Sequence, residues 1–96
     1  MIIKINGQEL FSNGIYEHYK KQFYKLLSVG FLHGSQGIYI VTYYKCDING
    51  VYLSIRNEDG SPKVHQPFCT DLNRWSDEVK NEKGELVKRF TFIKQS

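Results

Sequence analysis

Turn-forming signals punctuate this chain at short intervals, and several of the runs they bound are of strand length. Asn6-Gly7 separates Ile2-Ile3-Lys4-Ile5 from Gln8-Glu9-Leu10-Phe11, the signature of a two-residue type I′ hairpin, because both central residues must tolerate positive φ. Asn49-Gly50 repeats the signal between Ile38–Ile48 and Val51–Arg56. Asp59-Gly60-Ser61-Pro62 closes the next run, and Asn81-Glu82-Lys83-Gly84 joins Asp77–Val79 to Leu86–Ile93.

The runs themselves alternate as strands do. Val51, Leu53 and Ile55 share one face while Tyr52, Ser54 and Arg56 share the other, and Leu86 to Ile93 alternates similarly. Ile38 to Tyr44 is β-branched or aromatic throughout and reads as a central strand covered on both faces. Between Ile15 and Leu32 a helical stripe (Tyr16, Tyr19, Phe23, Leu27) competes with two strands joined near Lys20-Lys21-Gln22. The strands agree with the rest of the chain and are favoured. Asp71 can cap a short helical turn over Leu72–Trp75. The chain has no alanine, the best helix former, and 15% aromatic residues, a balance that suits strands. The expected fold is therefore all-β with at most one short helix: a small, strongly bent antiparallel sheet or an SH3-like barrel.

At 96 residues the chain has room for one domain, with an N-terminal hairpin over residues 1–13 and the remaining core over 14–93. The net charge of +3 is too small to demand a nucleic-acid partner. Its distribution is uneven: residues 16–45 carry Lys20, Lys21, Lys25 and Lys45 against Glu17, in the segment richest in tyrosine. No apolar run approaches the ~20 residues that span a bilayer, and the N-terminus does not read as a leader. With two cysteines, Cys46 and Cys69, and no CxxC pair, a cytoplasmic chain with reduced thiols is expected. The Lys, Ile, Asn and Tyr bias resembles AT-rich coding sequence, as in low-GC bacteria and their phages; the compartment would then be the host cytoplasm.

Gly14-Ile15-Tyr16-Glu17-His18-Tyr19-Lys20, Tyr24-Lys25-Leu26-Leu27, a later His33, Pro67-Phe68, Trp75-Ser76-Asp77-Glu78-Val79 and Arg89-Phe90 follow one another in an order that resembles a short bacterial and phage family, domain of unknown function 1653. Its opening Tyr-x-His-Tyr-Lys motif is the most specific part. The chain departs from the family where members carry Arg beside the later His, since Phe31 and Leu32 stand here. The resemblance implies a compact β fold and no established activity.

If Tyr16, His18 and Lys20 alternate along a strand they share a face, where a phenol, an imidazole and an ammonium can stack on a base and meet a phosphate. His33, in the polar loop His33-Gly34-Ser35-Gln36-Gly37, and Arg56 and Arg89, set among aromatic residues, complete the expected ligand-binding set. The simpler alternatives are a solvated strand, a plain hairpin loop and cross-strand ion pairs. Nothing argues for catalysis. The Cys69–His65 and Cys46–His33 pairs lack a nucleophile motif, and the adjacent Asp77 and Glu78 point to opposite faces of a strand. His18, His33, His65, Cys46 and Cys69 show no metal-ligand spacing, so no cofactor is expected. Trp75 reads as a core anchor. The expectation is a non-catalytic binding domain for a small anionic ligand such as a nucleotide, forming a homo-oligomer. In a phage setting this extends to a counter-defence sponge that sequesters a signalling nucleotide. The alternatives are a small nucleic-acid-binding barrel or a protein-interaction module.

Overall fold

The computed structural model describes residues 1–34, 37–52, 57–60 and 67–95. Among these residues nine strands and one helical turn follow in order: β1 (Ile2–Ile5), β2 (Gln8–Phe11), β3 (Gly14–His18), β4 (Phe23–Phe31), β5 (Tyr39–Cys46), β6 (Phe68–Asp71), α1 (Leu72–Trp75), β7 (Glu78–Lys80), β8 (Leu86–Lys88) and β9 (Phe90–Gln95). A five-stranded antiparallel sheet in the order β6-β5-β4-β3-β9 carries two separate hairpins, β1-β2 and β7-β8. The all-β expectation holds. The sheet stays open, with β6 and β9 as its edges among the described residues, so the barrel alternative is not realised.

Local chemistry accounts for the connections. Asn6 and Gly7 have φ of 51° and 78°, as a type I′ turn requires. Asn49-Gly50 does not repeat that turn. Of the pair only Gly50 has positive φ (79°), its N–H bonds the Asp47 carbonyl, and Asp47 N–H bonds the Val51 carbonyl, which makes a three-residue loop. Asp47 drives the difference: its Oδ1 accepts from the N–H groups of Asn49 (2.8 Å) and Val51 (2.9 Å) and folds the loop around itself. Asn81 does the same for Lys83 and Glu85. Gly60 also has positive φ and bonds Asn57, while Ser61, Pro62 and the expected strand beyond Tyr52 lie outside the described residues.

Residues 15–32 form two strands, as consistency with the rest of the chain favoured. The expected strand Leu86–Ile93 is broken at Arg89, whose N–H bonds Asp77 and whose carbonyl accepts from Tyr19, so that β8 peels away from the sheet while β9 joins β3. Strand β5 is central but not sealed on both faces: only Val41 and Cys46 are buried in it.

The core lies on one face of the sheet, where Tyr16, Leu26, Val41 and Phe90 meet Leu10 of the N-terminal hairpin and Leu72 and Trp75 of α1. Asp71 caps α1 by accepting from Arg74 N–H at 2.8 Å. Trp75 stacks flat on Phe90, with ring centroids 3.8 Å apart and planes 10° from parallel, and so fixes α1 to the start of β9. Cys46 is buried, whereas Cys69 is exposed on the edge strand β6; both are free thiols. No helix among the described residues is long and apolar enough to cross a membrane.

Replacing Trp75 by Ala is expected to destabilise the domain by about 3–5 kcal/mol in denaturant unfolding, because both the stack and the α1 anchor are lost.

Candidate functional site

Strand polarity brings one end of each of the five strands of the main sheet together: the last residue of β3, the first of β4, the last of β5, and the first of β6 and β9. On the core-facing side these ends carry His18, Tyr24, Tyr43, Phe68 and Phe90. Phe90 belongs to the core and Tyr24 and Tyr43 pack against it, but none of the three closes this end of the sheet. Tyr43 lies 5.3 Å from Tyr24 and 5.7 Å from Phe68, and His18 lies 6.1 Å from Tyr24 and 5.0 Å from Phe90. Phe90 is covered by Trp75, but Phe68 is 48% exposed and His18, Tyr24 and Tyr43 are half-buried. The result is an aromatic shelf running across the sheet end.

Cations surround the shelf. Arg74 is adjacent in sequence to Trp75 and Arg89 to Phe90, so the stack of those two rings also draws the two guanidinium groups toward Tyr43, whose hydroxyl feels both. Burial nevertheless dominates and pushes the Tyr43 and Tyr24 hydroxyls above the usual tyrosine value. Lys20 lies beside His18 and reaches over the Tyr19 ring, 5.8 Å from its centroid. No acid lies within ion-pairing distance of Lys20, Arg74 or Arg89 among the described residues. Arg89 Nε is buried with no hydrogen-bond acceptor among the described residues.

His18 closes the β3–β4 hairpin. Its N–H bonds Gln22, its carbonyl accepts from Lys21, and its Nδ1 accepts from Lys20 N–H at 3.2 Å. This is the part that Asp47 and Asn81 play in the other three-residue loops. Lys21 takes the position that Gly50 and Gly84 take there, with φ of 71°. An Nδ1 that accepts must be unprotonated. His18 titrates below the ordinary histidine value, first through burial and then through Arg89 and Lys20.

On the other side of this hairpin lies an open groove of about 1000 Å³ between residues 19–21 and the β7-β8 hairpin. Lys20, Lys21, Lys80, Lys83 and Lys88 outnumber Glu17, Glu82 and Glu85 along it. His18, Tyr19 and Lys20 form the divide between groove and shelf.

Of the residues expected to bind, the structure brings His18, Lys20 and Arg89 together. Tyr16 requires correction. Alternation does put it on the same face as His18, but toward the middle of the strand, where α1 and the N-terminal hairpin cover it. It is 5% exposed, packed on Trp75 and Phe92, and its hydroxyl accepts from Phe11 N–H at 3.0 Å. Tyr19 lies in the hairpin loop beside His18. Lys20 joins the site from that loop rather than from a strand. His33 is exposed at the opposite end of the sheet, and Arg56 lies outside the described residues. Tyr24, Tyr43, Phe68 and Arg74 were missed, although pairing β5 with both β4 and β6 would have aligned the three rings. No family model, curated protein or solved structure matches the chain.

Two outcomes follow from the hairpin. Because the folded His18 binds its proton less readily than an unfolded histidine, its stabilising contribution is complete above about pH 6.5 and is lost as pH falls from there toward the folded value. Replacing His18 by Asn, which keeps an acceptor but does not titrate, should flatten the fall in melting temperature between about pH 7 and pH 5.5 relative to the parent chain. Replacing Lys21 by Gly should raise stability by about 1 kcal/mol by relieving the left-handed backbone.

Proposed function

We propose that this chain is a non-catalytic binding module for a nucleotide-like anion, with the base on the shelf of Tyr24, Tyr43 and Phe68 and the phosphate held by Arg74, Arg89 and Lys20. The observation that carries the reading is the convergence of half-open rings with cations that lack an acid partner among the described residues. Stacking on exposed aromatic rings contributes about 1–3 kcal/mol per base and tolerates any base. The arginines supply charge and forked donors where the phosphate would sit. A sponge role in a phage remains an extension of this reading that rests on composition.

A second reading, single-stranded nucleic acid, is favoured by the lysine-lined groove that adjoins the shelf across His18, Tyr19 and Lys20. The shelf would stack bases and the groove would follow the backbone.

Thermal unfolding with nucleotides, cyclic nucleotides and short single-stranded oligonucleotides tests both. A ligand at a hundredfold excess over its Kd should stabilise the fold by about 2.7 kcal/mol. Phe68→Ala, Arg74→Ala and Lys20→Ala alter exposed positions and should each weaken that shift while leaving the unliganded melting temperature nearly unchanged. A shift that shrinks steeply with salt identifies a nucleic acid; one with much weaker salt dependence identifies the small anion. No shift with any of these compounds contradicts both readings.

A further inference from the structure

The sheet's other end carries a different chemistry. From Leu26 to Tyr44 the chain has no Asp, Glu, Lys or Arg, and this stretch forms the long arm of the β4-β5 hairpin. Strand β3 pairs with β4 only over Phe23–Lys25. Asn13 N–H and Ser12 Oγ then bond the carbonyls of Leu26 and Leu27, and the chain turns away. Beyond that point no described residue pairs with the outer edge of β4. Ladder alternation identifies the open groups: Leu32 N–H bonds Ile38 toward β5, so Gly30 and Ser28 also face β5, and the N–H and C=O groups of Val29 and Phe31 face outward. Phe31, 55% exposed, lies on this edge.

Gly30 sits at its centre with no intrachain reason to be glycine. Its φ is not positive, and a Cβ built there meets nothing within 4 Å. A glycine inside a strand lowers the strand's stability and marks places where another backbone comes close. We propose that this edge is a two-fold interface with a second copy of the chain, β4 against β4 antiparallel, with Gly30 opposite Gly30 on the axis.

That register lets Val29 and Phe31 of one protomer exchange N–H···O=C bonds with Phe31 and Val29 of the other. It also covers each exposed Phe31 ring with the partner's Val29, since the two share a face. A second copy is the occupant favoured by charge. At a two-fold axis each residue meets itself or a near neighbour, so charged residues there would repel their own copies. The edge also lacks the lysines and prolines that usually keep such strands apart. The interface lies at the opposite end of the sheet from the aromatic shelf and leaves both shelves open.

Sedimentation velocity over a concentration series tests the interface. The parent chain should move from monomer to dimer as concentration rises, with concentration-dependent slowing of amide exchange at Val29 and Phe31. Gly30→Glu and Gly30→Lys, each placed in open space within the protomer, should both be folded monomers. Mixed in equal amounts, they should recover the dimer through opposite charges on the axis. A parent chain that stays monomeric throughout, or a Gly30→Glu protein that dimerises as the parent does, overturns the proposal. Monomers that fail to recover on mixing overturn the register.

Discussion

The flat stack of Trp75 on Phe90 holds the molecule's distinctive features together. A four-residue helix has almost no stability of its own, since nucleation alone is unfavourable. Trp75 supplies what the helix lacks by burying its ring against β9 and against Tyr16 and Tyr43. The same contact determines where two of the chain's three arginines go. Arg74 precedes Trp75 and Arg89 precedes Phe90, so bringing the rings together brings the guanidinium groups to one end of the sheet. There the aromatic row outlasts its cover. Core and site are thus two parts of one aromatic cluster, the first sealed by α1 and the N-terminal hairpin, the second left half open.

Much of this architecture was legible in local chemistry. The Asn6-Gly7 turn, the Asp71 cap, the split of residues 15–32 into two strands and the anchoring role of Trp75 each follow from residues close in sequence. What could not be read depended on distant partners. Tyr16 and His18 share a face by alternation, yet one is core and the other site, because α1 and the N-terminal hairpin reach only the first. The break at Arg89 depends on carbonyl and amide partners at Asp77 and Tyr19, invisible to a period-two pattern. The shelf itself assembles from β4, β5 and β6, whose registers pair Tyr43 with Phe68 and set Tyr24 diagonally beside it. Asn49-Gly50 shows the same lesson locally, for an Asp two residues earlier changed the turn type.

The three related hairpin loops fill the same two positions with different residues. Asp47 and Asn81 organise their loops with carboxylate and amide oxygens, and glycine takes the left-handed position in each. The β3–β4 loop uses an imidazole and a lysine in those two places, at some cost in backbone strain, and this is the loop that stands between shelf and groove.

The most direct measurement of the central claim is a nuclear magnetic resonance titration with a nucleotide and with a short single strand, following aromatic side chains and arginine Nε–H groups. Binding at the shelf should give saturable shifts at Tyr24, Tyr43, Phe68 and Arg89, with Ile2–Ile5 and His33 unmoved. Shifts confined to the β4-β5 loop, or none at saturating ligand, would contradict it.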